Sequence, residues 1–468
     1  MQRKPLAYDS LKTVIQHMGP EIRFELTRCV PQIRLTEAVV PLKIHFLELG
    51  MNSTKINGTT YEMRTYHEYD QGATVPKYIR NRNKNGGLRV DYDQFGHRDD
   101  SFRNVLTTGD LDFRDGRELP AEGRMREVVV NGLEVLSEIM KKSIERRENQ
   151  VERSEEDNRQ IEELLNSCTH VRAANDKEIR ALLFIREVKT LFSLSFESLR
   201  MALDEVTSLM QPYIFERHNQ PTPWRNVIRL SITSKNKNQK IHQLPFNCRL
   251  HEAVKILNKL LVCRGNPLVN VNTLNISNSY YILRMPVNFK LKIKNLDGEV
   301  RNSFYEALSG IIHESSYPLN RVYVNCISDS VNVLDHPLIR DAKTLNVTAV
   351  TLPRQQRLPL LLKMQNPTIL VDSLGFLETN GMIALIRNLK ESSRPIGHKI
   401  RLNTLGFNTA FETLKEIANQ FNGTRIRGRK IKIPINDAST LQVSYLPKHI
   451  DSGNEDFYLE IVVVSDNN

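Results

Sequence analysis

The chain has 468 residues, 40% of them apolar and 25% charged, with a formal net charge of +11 and a pI near 9.3. That length supports two or three domains with cores of their own, and the balance is that of a folded globular chain, not a disordered or fibrous one. No uncharged apolar run approaches the ~20 residues that span a bilayer, and five widely spaced cysteines without a C-x-x-C fit neither a disulfide framework nor a zinc site.

The cysteine usage and the polar start Met1–Lys4, which lacks a signal-peptide pattern, point to a cytoplasmic protein, with the nucleus left open. A basic balance favours acidic partners. Lys and Arg are nonetheless dispersed, so a merely basic protein is expected ahead of a nucleic-acid binder.

Leu11, Val14, Ile15 and Met18 recur at helical spacing. Asp9 or Ser10 can cap this first helix, and Gly19-Pro20 stops it. Ile22 and Leu26 open a second apolar face that Pro31 closes. A strand is expected within 40–49. Two polar-aromatic runs then flank Asn57-Gly58, a hairpin signal. The stretch 71–119 reads as loop-rich from its Gly, Asn and Asp density.

From 122 to 213 the pattern is helical: Met125, Val129, Leu133, Leu136, Met140 and Ile144 form one stripe. The two-sign run 141–160 reads as a solvated helix or a disordered connection. The stripe resumes at 161–168, and 179–210 reads as a second long helix. Gln211-Pro212 and Gln220-Pro221-Thr222-Pro223 mark a boundary.

Beyond it the pattern turns α+β: a hairpin (RNVIRLSIT, KIHQLPF), a helix over 250–261, then short strands VNTLNIS, FKLKIKNL, LNRVYVN, AKTLNVTAV, PTILVDS and IRLNTLGF. Helices are expected between them at 303–313, 380–390 and 409–419. Several strands share an apolar-x-x-apolar-x-apolar frame: Val271/Leu274/Ile276, Leu319/Val322/Val324 and Ala342/Leu345/Val347. The loose spacing is that of an irregular leucine-rich array; one mixed sheet with helices on one side is equally open. Antiparallel strands are expected at the end of the chain.

Three near-motifs fail on chemistry. Gly423 to Lys430 has the glycine spacing of a phosphate loop, but a helix precedes it and a strand follows, so no helix N-terminus faces a phosphate. Asp91, Asp93, Gly96 and Asp99 mimic a calcium loop, but Phe102 stands where a bidentate Glu is needed. Cys168-Thr-His170 is too short for a zinc pair. Arg425, Arg427, Arg429, Lys430 and Lys432 alternate with isoleucines, the pattern of a solvated sheet face. No constellation for acid–base or nucleophilic catalysis is present, so no enzyme activity, cofactor or metal is expected.

The order Leu11-x-x-Val14-Ile15-x-x-Met18-x-Pro20-x-Ile22 resembles the F-box pattern of apolar helical turns and a proline. The chain as a whole resembles the F-box C proteins, a nematode-expanded family carrying a large domain of unknown function. The matching stretches are PLAYDSLKTVIQHM, AVVPLKIHFLEL, GGLRVDYDQFGHRDD, MQPYIFERHNQPTPWRNVIRLSI, HEAVKILNKLL and RGRKIKIPINDASTLQVSYLP. The resemblance implies a substrate-recognition adaptor of a cullin-type ubiquitin ligase. Its docking residues on a Skp-family linker would be Pro5, Leu6, Leu11, Val14, Ile15, Met18, Pro20 and Ile22. The chain departs from the pattern at Ala7, at Ser10 in place of an acidic residue, and in lacking a tryptophan after Cys29.

The expected fold is α+β: an F-box-like helical segment (1–50), a hairpin and loop-rich connector (51–120), a helical insertion (121–215), and an α/β region in two halves (222–350 and 351–468). The leading functional expectation is a non-enzymatic adaptor presenting an unknown protein target. A stand-alone interaction protein whose N-terminal helices belong to its own core is the alternative, and basic nucleic-acid binding comes third. Membrane association is not expected.

Overall fold

The computed structural model describes residues 8–466 apart from 100–103, 115, 117–126, all but a few positions of 150–194, and short stretches at 237, 246, 264–267, 277–280, 299–301, 326–330, 349–351, 393, 405, 423, 427–428 and 448–456. The architecture is α+β, with a large mixed sheet.

Three short helices open the chain: α1 (Tyr8–Gln16), α2 (Pro20–Cys29) and, after a 3-10 turn, α3 (Arg34–Ala38). Asp9 and Ser10 lie inside α1 and do not precede it. Pro20 occupies the first turn of α2, where its missing N–H costs nothing. Strands β1 (Lys43–Leu49), β2 (Ser53–Ile56) and β3 (Thr59–Tyr69) follow. The Asn57-Gly58 turn joins β2 to β3 as expected. Asn57 takes a left-handed φ of 52°, and its side-chain carbonyl accepts the backbone N–H groups of His45 and Phe46 at 2.9 and 3.1 Å. That stitches the hairpin tip to β1.

The loop-rich stretch contains a helix that sequence did not reveal, α4 (Lys77–Lys84), beside the short strands β4 (Asp91–Tyr92), β5 (Arg98–Asp99) and β6 (Leu111–Asp112). Ile79 is its buried apolar side chain, and one residue shows no periodicity.

Helix α5 (Glu127–Glu148) carries the expected stripe. Its Leu133, Leu136, Met140 and Ile144 share a second hydrophobic cluster with Leu199, Val206 and Met210 of α6 (Phe196–Arg217). The described part of the second long helix starts at Phe196 and ends later than expected. Ser195 caps α6, accepting the Ser198 N–H at 3.2 Å, and the helix continues through Pro212 to Arg217. Its last turns are held by ring contacts, Tyr213 on His97 and Phe215 on Trp224, so Pro212 bends no boundary there. The chain turns at Asn219, with φ 45°. The expected stretches 164–178 and 179–194, with Cys168 and His170, lie outside the described residues.

The remaining elements are β7 (Trp224–Thr233), β8 (Gln239–Pro245), α7 (Leu250–Asn258), β9 (Leu268–Ile276), β10 (Ile282–Leu283), β11 (Lys290–Gly298), α8 (Asn302–Ser309), β12 (Arg321–Asn325), α9 (Pro337–Arg340) and β13 (Thr344–Thr348). They are followed by α10 (Arg354–Lys363), β14 (Thr368–Val371), α11 (Thr379–Glu391), β15 (Lys399–Thr404), α12 (Gly406–Gln420), β16 (Thr424–Ile426), β17 (Lys430–Asn436), β18 (Ser439–Pro447) and β19 (Phe457–Ser465). Helix α10 was not anticipated, because Pro359 sits inside it and it buries only a small apolar edge, Leu360 and Leu361.

The 15-stranded sheet runs β16-β17-β18-β19-β15-β14-β13-β12-β11-β9-β1-β2-β3-β7-β8. Strands β15 through β9, and β1 beside them, are parallel; both flanks are antiparallel. Strands from the expected segments 51–120, 222–350 and 351–468 therefore lie in one sheet. One register row crosses the centre of it: Leu47, Leu274, Leu296, Val322, Leu345, Ile369, Ile400 and Ile461 are paired strand to strand, and all are buried. Burying such branched side chains contributes about 1.5–3 kcal/mol each. Helices α7, α8, α11 and α12 share their cluster.

The parallel strands alternate buried and partly exposed residues, as in β12 and β13. A parallel sheet covered on both faces reads as continuous apolar runs. Alternation means that one face of this one is packed and the other faces solvent.

Candidate functional site

The N-terminal helices are organised by a buried cation. Arg23 of α2 is 2% exposed; its Nε donates to Glu37 Oε1 of α3 at 2.8 Å, and its terminal nitrogens donate to the carbonyls of Glu37, Val40 and Pro41. Arg23 thus ties α2 to α3 and to the chain entering β1. The apolar face expected from Ile22 and Leu26 is not the inner face of α2: the buried residues are Pro20, Arg23 and Thr27, while Ile22 is 60% exposed. A guanidinium satisfied by a carboxylate and three carbonyls can occupy an interior that apolar pattern reading assigns to isoleucine.

The docking candidates divide accordingly. Ile15 and Pro20 are buried, and Leu11 and Met18 are half-buried. Val14 (41%) and Ile22 point to solvent, and Pro5 and Leu6 lie outside the described residues. Tyr8, Leu35 (84% exposed) and Val39, which the sequence reading did not single out, are exposed on the same three helices. Leu35 and Val39 are spaced i, i+4, but α3 has only five residues and Val39 lies just past its end, so the signal is lost. The unit is fixed to the sheet by Phe24, edge-on to Tyr61 at 6.2 Å, and by Glu25 with Lys240 of β8 at 3.5 Å. Arg28's hydrogen bond holds the Glu25 carboxyl down at about 2.

A second surface is the open face of the parallel strands. Rows read Asn275-Asp297-Tyr323-Asn346-Leu370-Arg401 and Thr273-Asn295-Arg321-Thr344-Thr368-Lys399. Asn295 Nδ2 donates to the Asn272 carbonyl at 3.1 Å, and the Tyr323 and Thr348 hydroxyls are bonded. Burial pushes the Asp297 carboxyl up. Glu460 receives both Arg401 and Lys399, on a row continued by Lys430. Of the basic run, Lys430 and Lys432 are partly exposed while Ile431 and Ile433 are buried; the side chains of Arg425 and Arg427 lie outside the described residues.

The calcium-like aspartates serve turns and caps. Asp91 accepts the Leu250 N–H at the start of α7 (2.6 Å), Asp93 accepts the N–H groups of Phe95 and His97, and Asp99 pairs with Arg249. Gly96 has φ +86°, and Trp224 fills the space of its missing Cβ. The Gly423 to Lys430 stretch carries β16, hairpin partner of β17. The Asp110 carboxyl is shielded from solvent. Burial alone would raise its carboxyl, but Thr107, Arg284 and Lys255 hydrogen-bond it and hold it below the usual range, pinning the loop before β6 to α7 and β10. Among the described residues no group of His, Cys, Asp and Glu has the arrangement of a metal site, and no helix is long and apolar enough to cross a membrane.

A family profile described as "Domain of unknown function (DUF3557)" matches residues 249–404, a third of the chain. That stretch spans α7 to β15, including all the parallel strands except β1. No curated protein and no solved structure matches the chain.

Proposed function

We propose that this chain is a non-enzymatic adaptor: its three N-terminal helices dock on a Skp-family linker of a cullin-type ubiquitin ligase, and the open face of its parallel strands receives a protein target. The F-box C resemblance supplies the partner. The observation that carries the reading is the division of labour within α1–α3. Ile15, Pro20 and the Arg23–Glu37 pair are buried contacts of the helices, while Tyr8, Val14, Ile22, Leu35 and Val39 are exposed. Exposed apolar side chains gathered on one small unit are what a docking face needs.

The stand-alone reading draws on the contacts of Phe24 and Glu25 with the sheet, which make the helices part of the main body. Both demands are met by different residues of α2, so anchoring does not consume the outward side chains. The test is co-purification with a Skp-family linker. Val14→Asp plus Ile22→Asp is expected to abolish association while leaving the melting temperature within a few degrees, because both side chains are exposed. Association unchanged in the double variant, or none with the parent chain, rejects the adaptor reading.

A further inference from the structure

The parallel strands carry a charge polarity from their starts to their ends. Lys292 and Lys294 of β11, Arg321 at the start of β12, Lys343 beside β13 and Lys43 at the start of β1 are all exposed, all toward the N-terminal ends of parallel strands, and none forms an ion pair among the described residues. Backbone bonds place Lys294, Asn320 and Lys343 side by side. Lys399 continues the border on β15, sharing Glu460 with Arg401. Among the carboxylates near this border, Asp341 is held by Arg340 and Glu460 by Arg401 and Lys399, and Glu314 on the turn ahead of β12 sets one further negative charge against the five other cations. Toward the C-terminal ends the face carries Asp297, Asn325, Thr348 and Asp372.

An ordinary solvated surface mixes signs; a border on which cations outnumber carboxylates focuses potential. We infer that this border binds an acidic, extended segment of a partner protein, laid across the strand ends. The inference rests on the open face being the target surface and names the chemistry of what it takes. From β1 to β15 the border crosses six strand spacings, about 29 Å, which an extended segment of about nine residues spans. The Asn and Thr side chains beside the cations can bond a peptide backbone, a set of donors and acceptors that a polyphosphate chain does not offer.

The test uses the full chain and a labelled decapeptide alternating Glu and Ser, with a Lys/Ser decapeptide and a single-stranded DNA 12-mer as comparisons. The variant Lys292→Glu/Lys294→Glu/Lys343→Glu reverses the border. Lys84→Glu/Lys142→Glu/Lys259→Glu changes net charge equally on exposed helical positions. The expected result is binding of the acidic peptide that weakens at least ~tenfold in the first variant, weakens far less in the second, and falls with added salt as exposed charge pairs do. Lys→Gln at the same three border positions, losing affinity less steeply, serves if the reversal impairs folding. Absent binding, equal loss in both variants, or DNA binding tighter than the peptide and lost with the border overturns the inference. Val14→Asp/Ile22→Asp leaves peptide binding intact, so failure of linker docking and failure of this border are read separately.

Discussion

Replacing Arg23 by methionine tests the frame that holds the exposed N-terminal side chains outward. Arg23 and Glu37 are each 2% exposed, and the guanidinium also serves the carbonyls of Glu37, Val40 and Pro41. Removing one partner of a buried pair leaves the other charge uncompensated, a cost of about 3–5 kcal/mol. The loss falls on α1–α3, which contribute nothing to the main hydrophobic cluster but Phe24 at its margin. Hydrogen exchange of amides in 20–40 is the assay. At 1.36 kcal/mol per factor of ten, protection there drops by roughly 10²–10⁴-fold, with strands β12–β14 unchanged. Glu37→Gln costs less, because the amide still accepts from Arg23. The double variant Arg23→Met/Glu37→Leu recovers most of the loss, since well-packed apolar replacements of a buried pair are often neutral. Additive effects in the double variant, or a single-variant loss under about 1 kcal/mol, would refute the assignment of Arg23 as the organising contact.

Gly298→Ala places a Cβ 2.5 Å from the Tyr305 hydroxyl and costs about 1–3 kcal/mol in denaturant unfolding, and Tyr305→Phe in the same chain relieves part of it. Asn366→Ala removes donors to the Ile339, Arg340 and Ala342 carbonyls and costs about 1–3 kcal/mol by the same measurement, whereas a loss near zero shows that these carbonyls find other donors. His398 is held down to about 4, by burial first and then by the Arg394 charge. The unfolded chain takes up that proton near 6.5 and the folded chain only near 4, so stability is lost as pH falls between them, by up to about 3 kcal/mol. His398→Gln should flatten that part of the pH–stability curve in urea titrations at pH 7 and 4.5, and equal slopes would exclude the burial account.

Where side-chain pattern and packing obey one rule, the sequence was legible. The frames Val271/Leu274/Ile276, Leu319/Val322/Val324 and Ala342/Leu345/Val347 are buried at every position. The equivalent frames Ile293/Leu296/Gly298 and Asn366/Ile369/Val371 each break the apolar rule once. Tyr305 fills the room that Gly298 leaves, and three carbonyls satisfy Asn366, so the break is physical compensation and hides the repeat from pattern reading. The same reversal hid which apolar side chains of α1–α3 are exposed. Arg23 took the inward position of α2, which turned Ile22 outward and left Ile15, read as part of one uniform stripe, as core.

The matched stretch 249–404 is not a closed structural unit, and its edges explain the rest of the chain. Its strands run from β9 to β15 in one parallel array, and each strand-helix unit buries its apolar face only against its neighbours. The array has two free edges, which would template pairing with other chains. β19 closes one, running antiparallel to β15 from Lys399↔Val462 to Thr404↔Phe457, and β18 and β17 extend it. β1 closes the other, parallel to β9, and the hairpins β2–β3 and β7–β8 carry the sheet onward antiparallel. Because β1 follows the N-terminal helices directly, the strand that seals the array also fixes where α1–α3 sit. Arg23 bonds the Val40 and Pro41 carbonyls at that junction, so α1–α3 are positioned by the sheet edge that β1 closes.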